Sequence, residues 1–269
     1  MKFTKMHGAG NDYIFVNCFE EAVPTPKATA VKLSDRHFGI GSDGLVLIEP
    51  SDTADFKMEI FNSDGSQAEM CGNAARCVAK FVYENRLTDK ESITLETLGG
   101  ERHIKMYTKN GKVVRSTVDI GLPIFSTDST LKIGGRSFDT VKVSVGNPHC
   151  VVFADGIDSF EIDRFAQRVS RLSDFPNGVN VELVEVTSDA KLKMRVFERG
   201  SGETLACGTG ACAAVAASIK KGFCRQDKII SVSLPGGELE VEQKPDGRLL
   251  LSGGAETVFC GELHSEGLL

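Results

Sequence analysis

The stretch E-T-L-A-C-G-T-G-A-C-A-A-V, residues 203–215, sets a Cys-Gly pair at the head of a long run of small residues. A second Cys-Gly opens E-M-C-G-N-A-A-R-C-V-A-K at residues 69–80. Cys71 and Cys207 stand 136 positions apart (207 − 71), and that one offset aligns much more of the chain with itself. M-E-I-F at 58–61 falls on M-R-V-F at 194–197, and G-N at 10–11 falls on G-N at 146–147. N-G-K-V-V at 110–114 falls on D-G-R-L-L at 246–250. Matches spread over 7–120 against 143–256 identify a tandem duplication.

The predicted elements repeat as well. Alternating apolar patterns at 57–61, 103–107, 112–118, 141–145, 190–197 and 238–243 read as half-buried strands. A helix is expected from Pro26 to about Phe38, stopped by Gly39, with its counterpart from about Asp163 to Ser173. One further helix follows each Cys-Gly. Residues 73–84 place Cys77, Val78, Phe81 and Val82 on one side, with Lys80 and Glu84 elsewhere. Residues 209–220 are apolar nearly all round, which marks a buried helix, and Lys220-Lys221-Gly222 ends it. The expected class is α+β: two pseudo-symmetric domains, each a strongly curved sheet around a central helix. Residues 1–120 form the first domain and 136–258 the second, and 259–269 are expected to pack back on the first. The Ser-, Thr-, Gly- and Pro-containing stretch Gly121–Gly135 reads as the linker.

The 269 residues suit two domains, and 41% hydrophobic residues supply ordinary cores. A net charge of −6 argues against nucleic acid or an anionic membrane as partner. The N-terminus MKFTKMHGAGNDY lacks a signal-peptide core, and the apolar run near 204–219 is too rich in Ala, Gly, Cys and Thr for a membrane span. A cytoplasmic protein acting on a small molecule is expected. Eight cysteines invite a metal site, but no C-x-x-C occurs. On a helix, Cys71 and Cys77, or Cys207 and Cys212, point more than about 100° apart. No metal is therefore expected, and no lysine sits in a recognisable cofactor motif, so no cofactor is expected either. Cys18, Cys77, Cys150, Cys212, Cys224 and Cys260 read as small buried hydrophobes.

Cys71 and Cys207 differ from these six because each stands where a strand-like loop enters a helix. A helix N-terminus lowers a thiol pKa, and the free N–H groups of Gly72-Asn73 and Gly208-Thr209 suit a carboxylate. Two pseudo-equivalent thiols, one charged and one protonated, can remove a proton from one face of a carbon and return one to the other.

The segments M-C-G-N-A-A-R-C and E-T-L-A-C-G-T-G-A-C-A resemble the two signatures of the diaminopimelate epimerase family. H-G-A-G-N-D-Y (7–13), F-N-S-D-G-S (61–66), G-N-P-H (146–149), N-G-V-N (177–180) and F-E-R-G (197–200) match too. The resemblance implies cofactor-independent interconversion of LL- and meso-diaminopimelate in lysine and peptidoglycan-precursor synthesis, by a homodimer. It implies two barrel-like domains with the active site in the cleft between them, that Cys71 and Cys207 are catalytic, and that His149 and Glu198 tune them. It assigns substrate binding to Asn11, Asn62, Asn147, Asn180, Glu198 and Arg199, beside the helix starts Gly72, Asn73, Gly208 and Thr209. Without the resemblance, Glu198-Arg199 reads equally as a solvated loop ion pair. His7, His37, His103 and His264 read as ordinary loop or surface residues. One departure stands out: where many members carry a substrate-contacting Gln, this chain has Gly44. A proline or hydroxyproline racemase is the rival within the class, but there a His usually follows the first Cys-Gly, where this chain has Asn73. A thiol redox protein, the rival outside it, leaves the paired helix ends unexplained.

Overall fold

A computed structural model describes residues 1–126, 129–133 and 135–264. The chain forms two compact units: Met1–Val118 together with the segment from Gly253 onward, and Asp119–Ser252. Both are α+β.

In the first unit, Lys2–Gly8 and Asn11–Asn17 make an antiparallel hairpin. Its two-residue turn, Ala9-Gly10, has φ of 52° and 81°, which matches the twist of the flanking strands. Helix α1 (Pro26–Ser34) then crosses to Gly44–Glu49, which lies parallel to Asn11–Asn17. Phe56–Asn62 returns antiparallel. Helix α2 (Gly72–Glu84) crosses to Ser92–Glu96, parallel to Phe56–Asn62, and Arg102–Lys109 and Lys112–Gly121 complete the meander.

The second unit repeats this path. Arg136–Ser144 and Pro148–Phe153 are antiparallel, and helix α3 (Ile162–Ser170) leads to the parallel strand Asn180–Ser188. Lys191–Glu198 returns antiparallel, and helix α4 (Gly208–Lys220) leads to the parallel strand Ile229–Leu234. Gly237–Gln243 and Leu249–Gly253 follow. Helices α2 and α4 have 13 residues each and begin 136 positions apart (208 − 72).

Both Cys-Gly helices are buried. From Gly72 to Val82 every residue of α2 is buried, and α4 packs against six strands of its own unit. Its small side chains let the sheet curl closely round it. The polar residues of α2 depart from the expected amphipathic pattern. Arg76 is fully buried, and Lys80 is buried with its ammonium on Glu84 Oε1 at 2.8 Å and the Val113 carbonyl at 3.0 Å. Satisfied partners make such burial tolerable.

Three further expectations need correction. Helix α1 stops at Ser34, four residues early, because the Asp35 carboxylate accepts the backbone N–H groups of His37 and Phe38 at 2.7 and 2.8 Å. Local acceptance of this kind competes with the helix ladder. The stretch read as a linker carries the strands Ile124–Phe125 and Ser129–Ile133, both paired with Arg136–Ser144. Cys260 is exposed and Cys18 half-buried, whereas Cys77, Cys150, Cys212 and Cys224 are buried. Burial pushes the Cys77 and Cys150 thiols up to about 12. Among the described residues, no helix is long and apolar enough to cross a membrane.

Candidate active site

Cys71 and Cys207 occupy the same local geometry. Each is the extended residue before its helix, at φ −139°, ψ 117° and φ −124°, ψ 115° respectively. The first intrahelical bonds are Ala75 N–H to the Cys71 carbonyl and Ala211 N–H to the Cys207 carbonyl, both 2.9 Å. The N–H groups of the three residues between therefore lack intrahelical acceptors.

In the first unit Cys71 is half-buried, and its Sγ lies 3.5 Å from Asn11 Oδ1 and 3.7 Å from the Tyr13 hydroxyl. Asn73 Nδ2 donates to the same Asn11 oxygen at 3.2 Å. Asn62 lies at the end of its strand, opposite Gly44, with Nδ2 on Ser66 Oγ at 2.9 Å. A Cβ on Gly44 would overlap the Phe61 carbonyl oxygen, so this backbone leaves no space for a side chain there.

In the second unit Cys207 is 5% exposed, with Sγ 3.5 Å from the Thr209 hydroxyl. Burial, then the Glu198 and Glu182 carboxylates, push its thiol well above the ordinary range. Thr209 and the Gly210 N–H act in the opposite sense and are outweighed. The expectation that a helix start lowers the pKa thus fails for Cys207, because desolvation disfavours the thiolate more than the helix end favours it. Burial also raises the Glu198 pKa, against hydrogen bonds from Thr204 and Cys207. Thr204 Oγ1 donates to Glu198 Oε1 at 2.6 Å.

His149 is placed by two contacts: Nδ1 on Glu182 Oε1 at 2.6 Å and Nε2 on Asn147 Oδ1 at 2.9 Å. Asn180 Oδ1 accepts the Arg199 backbone N–H at 2.8 Å, and the Arg199 guanidinium donates to the Asn177 carbonyl at 3.1 Å. The second unit thus joins Asn147, His149 and Glu182 in one set, Glu198, Cys207 and Thr209 in a second, and Asn180 with Arg199 in a third.

Sequence reasoning missed Asp43, Arg76 and Glu182, which hold Asn11, Asn73 and His149. The repeat carried a signal for all three: under the 136 offset they face Val179, Cys212 and Val46. A charge that replaces an apolar residue at a buried repeat position needs a reason.

A family model described as diaminopimelate epimerase matches residues 3–125 and 141–258. The chain belongs to the diaminopimelate epimerase family. Among curated relatives, the diaminopimelate epimerase of Methanococcus maripaludis is 47% identical, over 98% of this chain and 99% of its own. That of Acetivibrio thermocellus is also 47% identical, over 98% of both chains. Among solved structures, a probable proline racemase from Agrobacterium radiobacter superposes with a TM-score of 0.79, over 98% of this chain and 93% of its own. At 14% identity, that likeness is one of fold. The curated relatives, similar over nearly the whole chain, fit an isomerase.

Proposed function

We propose that the protein interconverts LL- and meso-diaminopimelate without a cofactor, with Cys71 and Cys207 as the two acid–base groups. The observation that carries this reading is the repeated Cys-Gly helix start, two cysteines with matched backbone geometry in a chain of this family. One thiolate takes the α-proton, leaving the electron pair on the α-carbon and its carboxylate. The other thiol gives its proton to the opposite face, and the two sulfurs end with their roles exchanged. The mechanism requires both sulfurs to reach one α-carbon. First-turn N–H groups from Gly72-Asn73 and Gly208-Thr209 hold the carboxylate while negative charge builds on it, an interaction that strengthens in the transition state.

Burial and the Glu198 and Glu182 carboxylates hold the Cys207 thiol well above the ordinary range. A substrate ammonium at Glu198 neutralises one of the carboxylates that hold it so, which brings the thiolate within reach when substrate is present. His149 acts on the same sulfur through Glu182. Arg199 is suited to take the distal carboxylate as a two-point partner, with Asn11, Asn62, Asn147 and Asn180 reading the remaining polar groups. A cytoplasmic homodimer serving lysine and peptidoglycan-precursor synthesis goes with this reading by resemblance.

The test is incubation with a panel of amino acids, proline included, in D₂O. Loss of the α-proton signal from LL-diaminopimelate, with the meso form appearing, is the expected result without added pyridoxal phosphate or metal. Exchange of proline instead, or of nothing, sinks the reading.

A further inference from the structure

Four side chains of the first unit form a hydrogen-bonded chain that runs in one direction. The buried Arg76 guanidinium donates to Asn73 Oδ1 at 2.9 Å, Asn73 Nδ2 to Asn11 Oδ1 at 3.2 Å, and Asn11 Nδ2 to Asp43 Oδ2 at 2.8 Å. A guanidinium has no acceptor and an ionised carboxylate no donor, so the two ends dictate how both amides point. Each end is itself anchored. Arg76 donates to the carbonyls of Gly72 and Gly254 at 3.1 and 3.3 Å. Asp43 Oδ2 also accepts the Asp12 backbone N–H at 3.1 Å, and Arg36 donates to Asp43 Oδ1 at 3.0 Å. The amide of Asn11 therefore turns its carbonyl, not its NH₂, to the Cys71 sulfur, and accepts the S–H at 3.5 Å.

We propose that Asp43 is a positioning residue for Cys71: by fixing the Asn11 amide it keeps a carbonyl oxygen on the sulfur and favours the thiol over the thiolate. This deepens the two-cysteine reading and rests on it. A carbonyl accepts from S–H but repels S⁻, whereas a flipped amide would donate to S⁻. The second unit lacks this device. The position matching Asp43 is Val179, and the amide oxygen of Asn147, the counterpart of Asn11, meets the His149 ring instead. The charged and titratable neighbours include Arg76 beside Asn73, Asp12 and Arg36 beside Asp43, Lys5 beside Asp12, and the Tyr13 hydroxyl, which donates to Cys71 Sγ and so opposes the Asn11 carbonyl.

Alkylation of Cys71 by iodoacetamide, followed against pH by peptide mass spectrometry, reads the thiolate without any turnover. Loss of epimerisation in Cys71→Ala tests the two-cysteine reading separately. Asp43→Ala removes the acceptor and should raise Cys71 alkylation at neutral pH by roughly fivefold, the factor one net hydrogen bond supplies, and move the profile to lower pH. Asp43→Asn can keep an oxygen in the place of Oδ2 and should match the parent protein. An equal shift in both variants would mean that the charge of Asp43 acts, not its hold on Asn11, and would overturn the proposal. Parent-like profiles in both would overturn it too. Asn11→Ala deletes the carbonyl itself and should raise alkylation at least as much. A parent-like Asn11→Ala profile overturns the proposal even if the Asp43 variants fail to fold.

Discussion

His149 and Glu182 form a carboxylate–imidazole pair, Nδ1 to Oε1 at 2.6 Å, with both side chains wholly inaccessible. Glu182 also lies beside the first turn of α4: a Cβ on Gly210 would sit 2.9 Å from Glu182 Oε1 and 3.2 Å from Cys207 Cβ. Only glycine at this position lets helix, carboxylate and reactive sulfur share the space.

Glu182→Ala should therefore destabilise the protein by about 1–3 kcal/mol, the cost of leaving a buried polar partner unmade. Urea unfolding measures it. Glu182→Gln preserves a partner for His149 and should cost less. Equal stability of the alanine variant and the parent would show the pair to be structurally idle.

The thiol of Cys207 is raised by burial first and by Glu198 second. A raised thiol pKa means less thiolate at any neutral pH, so ligand-free Cys207 should alkylate more slowly than a free thiol and speed up as pH rises. Glu198→Gln removes one opposing charge and should speed alkylation at pH 8. A slower or unchanged rate would show that Glu198 does not act on this sulfur. The same variant should lose turnover, because it also loses the partner for an ammonium.

Gly44→Ala places a methyl group against the Phe61 carbonyl oxygen and the Tyr13 ring. Overpacking of this kind costs about 1–3 kcal/mol. Chemical denaturation should show it, and a neutral result would mean that the strand pair Gly44–Glu49 and Phe56–Asn62 shifts to make room.

Cys71→Ala and Cys207→Ala should each lower epimerisation by roughly 10²–10⁴-fold or more, the range of a lost acid–base group. Cys77→Ala and Cys212→Ala remove sulfurs that are fully buried and should keep turnover while losing about 1–2 kcal/mol of stability. Retained turnover in either of the first pair would refute the two-base mechanism.

Arg199→Ala should weaken use of diaminopimelate by about 2–5 kcal/mol in kcat/KM, the cost of removing one partner of a desolvated charged contact. Unchanged kinetics would take Arg199 out of the site.

The duplication was legible because chemistry and packing repeat at one offset. Ala, Gly and Cys around all of α4 announced a helix with no solvent face, and it has almost none. The supports of the site were not legible. Glu182 sits in N-V-E-L-V-E-V, where alternation suggests an outward carboxylate, yet the strand is flanked on both sides and buried on both faces. Asp43 lies in a glycine-rich turn, where an Asp reads as turn chemistry. Ser and Thr in 126–130 suggested a linker, but an edge strand needs only one partner and tolerates such residues. Periodicity reports which residues are buried, and it is silent on which polar residue a buried partner will hold.

The strand Glu256–Glu262 pairs antiparallel with Lys2–Gly8, from Glu262 opposite Lys2 to Glu256 opposite His7, with a shift of register between Lys5 and Met6. Residues from the two ends of the sequence are thus neighbours in one sheet, while Asp119–Ser252 is an unbroken stretch. The usual order, in which the N-terminal domain is completed first, is therefore closed to this chain. The second unit has all its strands in a chain that reaches Gly253, but the first must wait for Glu256–Glu262, with Lys2–Gly8 paired on one side only. An unpaired edge in a nascent chain is a site for wrong pairing.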